Sequence, residues 1–170
     1  MEKIEKELNA CVAAEPQPEH QWLQKLVGEW VYEAEAMMEP GKPLEKCAGS
    51  ERVRSLGDLW ILAEGQGEMP DGSAATMLLT LGYDPQKQRF VGTWVGSMMA
   101  HLWVYDGSLA ADSNTLTLDS EGPGMGGTGK MARFRDVIVL KNKDLRTLTS
   151  QMQSDDGTWQ TVMTASYKRK

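Results

Sequence analysis

The stretch Gly28-Glu29-Trp30-Val31-Tyr32-Glu33-Ala34-Glu35-Ala36-Met37-Met38 changes the period of the chain. From Trp30 onward, Trp30, Tyr32, Ala34, Ala36 and Met38 alternate with Val31, Glu33, Glu35 and Met37. One face is apolar and the other mostly wet, as in a half-buried strand. Upstream the spacing is helical. Ile4, Leu8, Cys11 and Val12 predict a helix over residues 2–14, stopped by Pro16 and Pro18. A second short helix is predicted over 19–27, with Trp22, Leu23 and Leu26 apolar and Gly28 at its end.

Downstream, strand-like runs and turn signals alternate almost to the last residue. Pro40-Gly41 turns the chain into a run over 44–56 that is polar on both sides, which leaves its inward parity open. Leu59 to Gly67 ends at Pro70-Asp71-Gly72, and Ala75 to Tyr83 ends at Asp84-Pro85. Arg89 to Met98 follows, then His101 to Tyr105 with a turn expected at Asp106-Gly107, then Thr115 to Asp119. Met131 to Leu140 is strongly β-forming and meets Leu145 to Gln153 across Asn142-Lys143-Asp144. Trp159 to Lys168 closes the series after Asp155-Asp156-Gly157. Short runs joined by tight turns predict an all-β fold of simple up-and-down neighbours, and closure would remove its edges. The expectation is one domain, with residues 1–27 a helical cover and 28–170 a closed ten-stranded antiparallel barrel.

Composition narrows the function. The 170 residues are 41% hydrophobic, enough for one ordinary core. The net charge of −6 repels phosphate backbones, so nucleic acid is not an expected partner. Cys11 and Cys47 have no metal spacing and read as free thiols in a reducing compartment. No stretch approaches the ~20 apolar residues of a membrane span, and Met1 to Leu8 lack an apolar signal core. A cytoplasmic protein with no membrane partner is expected.

Several segments together carry a resemblance: Leu26-Val27-Gly28-Glu29-Trp30, Leu81-Gly82-Tyr83-Asp84, Phe90-Val91-Gly92-Thr93-Trp94-Val95-Gly96-Ser97, Phe134-Arg135-Asp136-Val137, and Asp156-Gly157-Thr158-Trp159 with Tyr167-Lys168-Arg169. In this order, over residues 19–169, the chain resembles a bacterial family of unknown function with a calycin-like barrel of the lipocalin or nitrobindin type. The resemblance implies ten strands and leaves activity open. Related calycins carry apolar ligands or haem, and nitrobindin-like proteins hold haem iron through a late histidine. No histidine follows His101 here, so that ligand does not carry over and no cofactor is expected. In calycins the Gly-x-Trp tryptophan often lies under an arginine of the last strand. Trp159, Met163, Ala165, Tyr167 and Arg169 share a parity in the sequence, which would set Arg169 over Trp30 as a latch closing the barrel end.

The candidate ligand-binding residues are Trp94, Met98, His101, Trp103, Tyr105 and Arg133. His101, Trp103 and Tyr105 share one face, which would place an imidazole among aromatic walls. Arg133 is a candidate anion partner if it points inward; the opposite parity would put Phe134, Asp136 and Ile138 inside. His20, on the N-terminal helix, reads as exposed, so no two-histidine metal site is expected. Gly124 to Lys130 satisfies G-x-x-x-x-G-K, but Met131 replaces the magnesium-binding hydroxyl and a strand follows where a P-loop needs a helix. Ser97 lies in no nucleophile elbow, and the spread methionines are core filler. The leading expectation is non-enzymatic binding of a small, largely apolar molecule. The alternatives are an enzyme using His101 as acid or base, or a ligand-free homodimer docking through the Met1–Ala14 helix.

Overall fold

The computed structural model describes residues 13–170, so the helix expected over 2–14 and Cys11 lie outside or at the margin of the described residues. One short helix, α1 (Pro18–Gln24), precedes ten strands: β1 (Gly28–Ala36), β2 (Glu45–Leu56), β3 (Trp60–Glu68), β4 (Ala74–Asp84), β5 (Arg89–Gly96), β6 (Trp103–Leu109), β7 (Thr115–Pro123), β8 (Met131–Leu140), β9 (Leu145–Gln153) and β10 (Trp159–Arg169). Each strand pairs antiparallel with its sequence neighbours, and β1 pairs with β10 to close the barrel. The architecture is the all-β, up-and-down, ten-stranded barrel that the alternation and turn spacing predict.

Two ends differ in character. The end holding the start of β1 and the finish of β10 is covered by α1, which packs on β3 and β4. Trp22, Leu23, Leu26, Trp30, Ile61, Leu81, Phe90, Leu116 and Leu118 are buried there in one core. Trp22 also donates its indole N–H to the Ser113 carbonyl at 2.7 Å, tying the helix to the β6–β7 turn. His20 is buried, not exposed as its helical position suggested. Its Nδ1 accepts the Gln17 amide at 2.9 Å and its Nε2 lies 3.0 Å from the Tyr83 carbonyl, so both ring nitrogens are satisfied without solvent. The other end, the mouth, holds the finish of β1 and the start of β8 and has no helix over it among the described residues.

Three local readings change. β6 runs through Asp106 and Gly107 to Leu109 instead of turning there. Gly107 is a strand residue facing Phe90 and Leu118, where a Cβ would press on the Leu118 side chain. His101 precedes β6 and is not part of it. β10 carries a register shift between Thr161 and Met163, and this bulge breaks the parity of Trp159 with the rest of its strand. Trp159 therefore stands on the outer wall, beneath the guanidinium of Arg135 at 4.4 Å.

Candidate functional site

Ladder register fixes which side chains face the barrel axis. Trp30, Tyr32 and Ala34 of β1 point inward, and pairing propagates that parity around the wall. In β2 the inward set is Cys47, Gly49, Glu51 and Val53, which settles the strand whose sequence was polar on both sides. In β8 it is Ala132, Phe134, Asp136 and Ile138. In β9 it is Arg146, Leu148, Ser150 and Met152.

Above the α1 end lies a charged tier. Arg146, 5% exposed, donates from Nη2 to Oε1 of Glu51 across the barrel. Its guanidinium stacks 3.8 Å from the Tyr167 ring centre and 4.7 Å from that of Trp30. The aromatic faces replace part of the water that a buried cation loses. Burial raises the pKa of the Tyr167 hydroxyl far above its ordinary range, reinforced by the nearby Glu51 and opposed by Arg146. Sequence spacing did not single out Arg146 or Glu51. The available signal was parity: Arg146 alternates with Leu148, and Glu51 with Val53.

The next tier centres on Asp136. Tyr105 donates its hydroxyl to Oδ2 at 2.6 Å, and Ser150 donates to Oδ1 at 2.5 Å. Burial raises the Asp136 pKa, and the two hydrogen bonds pull it back down. Burial likewise raises the Tyr105 hydroxyl, with Asp136 adding to the shift. These donors explain how a carboxylate can sit among Leu118, Ile138 and Phe134.

The tier nearest the mouth is apolar. Met77, Leu79, Trp94, Trp103, Phe134, Met152 and Met163 face inward and remain partly accessible. Trp103 and Phe134 meet edge to face, their centres 4.8 Å apart. Trp103 lies against Gly122 and Trp94 against Gly96, where a Cβ would overlap the rings. Side-chain-free wall positions let these rings lie close to the sheet, away from the barrel axis.

Of the residues chosen from sequence, Trp94, Trp103 and Tyr105 come together in this lumen. Met98 lies at the mouth, its sulfur beside Gly96. His101 also sits at the mouth, with Nε2 2.9 Å from the Glu121 carbonyl and its ring edge-on to Trp103 at 4.8 Å. A backbone carbonyl orients the ring but takes no proton from it, so the contacts of His101 are those of a strand-end anchor. Arg133 requires a correction: it projects from the outer wall, 3.9 Å from Glu121, because Phe134 and Asp136 take the inward parity. It lines an open outer groove of about 580 Å³ with His101, Arg135 and Trp159, on the opposite face of the β7–β8 wall from Asp136. A second open groove of about 690 Å³ is lined mainly by outward-facing residues of β1, β2 and β10, including Glu33 and Lys46.

Arg169 lies 4.2 Å over the Trp30 ring. The segment Gly124 to Lys130 is the β7–β8 turn, closed by the Gly124 amide on the Lys130 carbonyl at 2.8 Å. Gly126, Gly127 and Gly129 take positive φ in it. A strand follows, with no helix terminus for a phosphate.

The chain is a closed ten-stranded up-and-down barrel, covered at one end, with a mixed polar and apolar interior. The chain belongs to the family described as protein of unknown function DUF1579, whose profile matches residues 15–169. Among solved structures it is similar to Rv2717c from M. tuberculosis, at 14% identity and a TM-score of 0.62, covering 92% of this chain and 99% of that one. It is also similar to the S-type phycobiliprotein lyase CPES from Guillardia theta, at 14% identity and a TM-score of 0.60, covering 91% and 98%. At such identity these likenesses show the fold alone. No curated protein matches the chain by sequence. No helix among the described residues is long and apolar enough to cross a membrane.

Proposed function

We propose that this barrel binds one small, largely apolar molecule in its lumen, through the mouth at the end opposite α1. The observation that carries this reading is the partial accessibility of inward side chains such as Leu79, Trp94, Ser150 and Met152. A barrel filled by its own side chains would bury them, as the α1 end buries Leu81 and Leu116. Roughly eight strands already enclose room for a small ligand, and ten enclose more. Apolar walls with a few converging polar groups are the usual composition of such sites. The fold shared with a phycobiliprotein lyase agrees with the reading without specifying a ligand. Trp94, Met98, His101, Trp103 and Tyr105 form the wall and rim of this site, and Trp30 with Arg169 closes its far end.

Native mass spectrometry of the gently purified protein, before and after denaturation, tests the reading. A non-covalent mass lost on denaturation, or saturable one-to-one binding of 1-naphthalenemethanol monitored by tryptophan quenching, is expected. A bare mass together with no saturable quenching would overturn it.

A further inference from the structure

The lumen has an unbalanced charge. Among the described residues, the inward-facing charged side chains are Glu45 at the rim, Glu51, Asp136, Arg146 and Arg169. Arg146 is committed to Glu51. Arg169 is turned toward the covered end, donating to the carbonyls of Val27 at 2.6 Å and Lys25 at 3.0 Å. Asp136 alone lies in the middle of the barrel with no cation beside it. Its contacts are two neutral hydroxyls, and each carboxylate oxygen keeps a free lone pair. It is partly accessible, so what reaches it arrives through the lumen.

We propose that the lumen is selective for an apolar molecule bearing a protonated amine, held by Asp136 and flanked by Trp103 and Phe134. This rests on the lumen-binding reading above and adds the chemistry of the head group. Phe134 stands two residues before Asp136 on β8, facing the same interior, and Trp103 packs against Phe134. An ammonium bound to the carboxylate is therefore next to aromatic rings, which attract cations through their faces. The amine also restores a charge partner to a carboxylate that burial disfavours. A carboxylate-bearing ligand meets the opposite situation. It would face Asp136 with no free arginine inside, since Arg146 is paired and Arg133 is on the outer wall. A fatty-acid-type ligand is selected against.

A matched series decides the matter: 1-naphthylmethylamine, 1-naphthalenemethanol and 1-naphthaleneacetate, each titrated by calorimetry at pH 7 in about 0.15 M salt, where weak attraction to the acidic surface is screened. The amine is expected to bind at least about tenfold more tightly than the alcohol, a difference of about 1.4 kcal/mol, and the carboxylate most weakly. Asp136→Asn, checked for folding by circular dichroism, is expected to remove the amine's advantage over the alcohol. Equal binding of all three, a carboxylate preference, or an amine preference surviving in Asp136→Asn would overturn the head-group inference and leave lumen binding standing. Failure of all three to bind would sink both. If Asp136→Asn does not fold, the order of the three affinities in the native protein still decides.

Discussion

The guanidinium of Arg169, the penultimate residue, lies 4.2 Å over the ring of Trp30, near the start of the first strand. Trp30 is fully buried, and its indole N–H donates to the Leu26 carbonyl at 2.9 Å. Arg169 also donates to three backbone carbonyls: Val27 and Lys25 at the end of the helical cover, and Lys143 in the β8–β9 turn. It thus joins the β1–β10 seam, the cover and a neighbouring turn. Gly28 makes room for it: φ there is +143°, and a side chain would collide with the guanidinium.

Trp30→Ala is therefore expected to destabilise the whole barrel by about 3–5 kcal/mol, the range for deleting a large buried aromatic. Arg169→Lys keeps the charge but loses the planar fork, and about 1–3 kcal/mol should go with it. Urea unfolding measures both. An unchanged midpoint in Trp30→Ala would remove the latch from the account.

A second prediction concerns the ion pair inside. Arg146 and Glu51 are both shielded, with side-chain exposures of 5% and 15%. Removing one partner leaves a charge in a poor solvent, so Glu51→Gln or Arg146→Met should each cost about 3–5 kcal/mol. Replacing both, as Glu51→Gln with Arg146→Met, should cost less than the sum of the singles. A double-mutant cycle by chemical denaturation reads the coupling. Strict additivity would show that the two charges do not depend on each other.

How much of this could be read in advance follows from where the partners lie. Period-two patterning and turn residues are local, so the ten strands and their order were readable. The Trp30–Arg169 contact was expected from the resemblance to calycins, and the parity along β10 that agrees with it holds from Met163 onward. The same count misplaced Trp159, because a bulge adds a residue without a sequence mark. Glu51 inside β2 looked like one more polar residue, since its partner is 95 positions away. Asp136 read as a reason to hesitate over the parity of β8. Only the fold supplies Tyr105 and Ser150, which settle it and send Arg133 outside. Gly107 imitates a turn because a strand glycine that makes room for neighbouring side chains and a turn glycine look alike in one sequence.

The Asp136 carboxyl gives a signed pH dependence. Its pKa is raised in the folded protein from an ordinary 3.8, chiefly by burial. The folded state holds the proton more tightly, so this group's contribution is most favourable below about pH 4 and is lost as pH rises through the folded value. Asp136→Asn stays neutral throughout. The stability of the native protein relative to this variant should fall as pH rises from about 4, then level off. Thermal melts of both proteins between pH 4 and 8 test this. A difference that grows in favour of the native protein would mean the carboxylate is stabilised inside.

The buried phenols act in the alkaline range. Tyr32, Tyr105 and Tyr167 all have raised pKa values, with burial the largest cause in each. Above pH 10 the unfolded chain releases these protons while the folded one keeps them. Stability should therefore be intact below pH 10 and drop steeply above it, by up to about 1.4 kcal/mol per pH unit for each phenol. Tyr167→Phe should make that fall shallower. Equilibrium unfolding at pH 9, 10 and 11 gives the slopes, and parallel slopes for the variant and the native protein would rule Tyr167 out as a contributor.

The last prediction uses the wall glycines to separate ligand binding from stability. Trp103 lies directly on Gly122, and a Cβ there would overlap its six-membered ring. Gly122→Ala must push the indole toward the barrel axis, into the space a ligand would take beside Phe134. Overpacking of this kind typically costs about 1–3 kcal/mol, so the barrel should still fold. Binding of 1-naphthalenemethanol should weaken by at least about tenfold. Gly157→Ala, in the β9–β10 turn where no atom lies within 4 Å of the added Cβ, serves as the control. It strains a backbone at φ +86° and should lower stability without touching affinity. Equal affinities in the two variants would mean that the naphthalene ring does not bind beside Trp103.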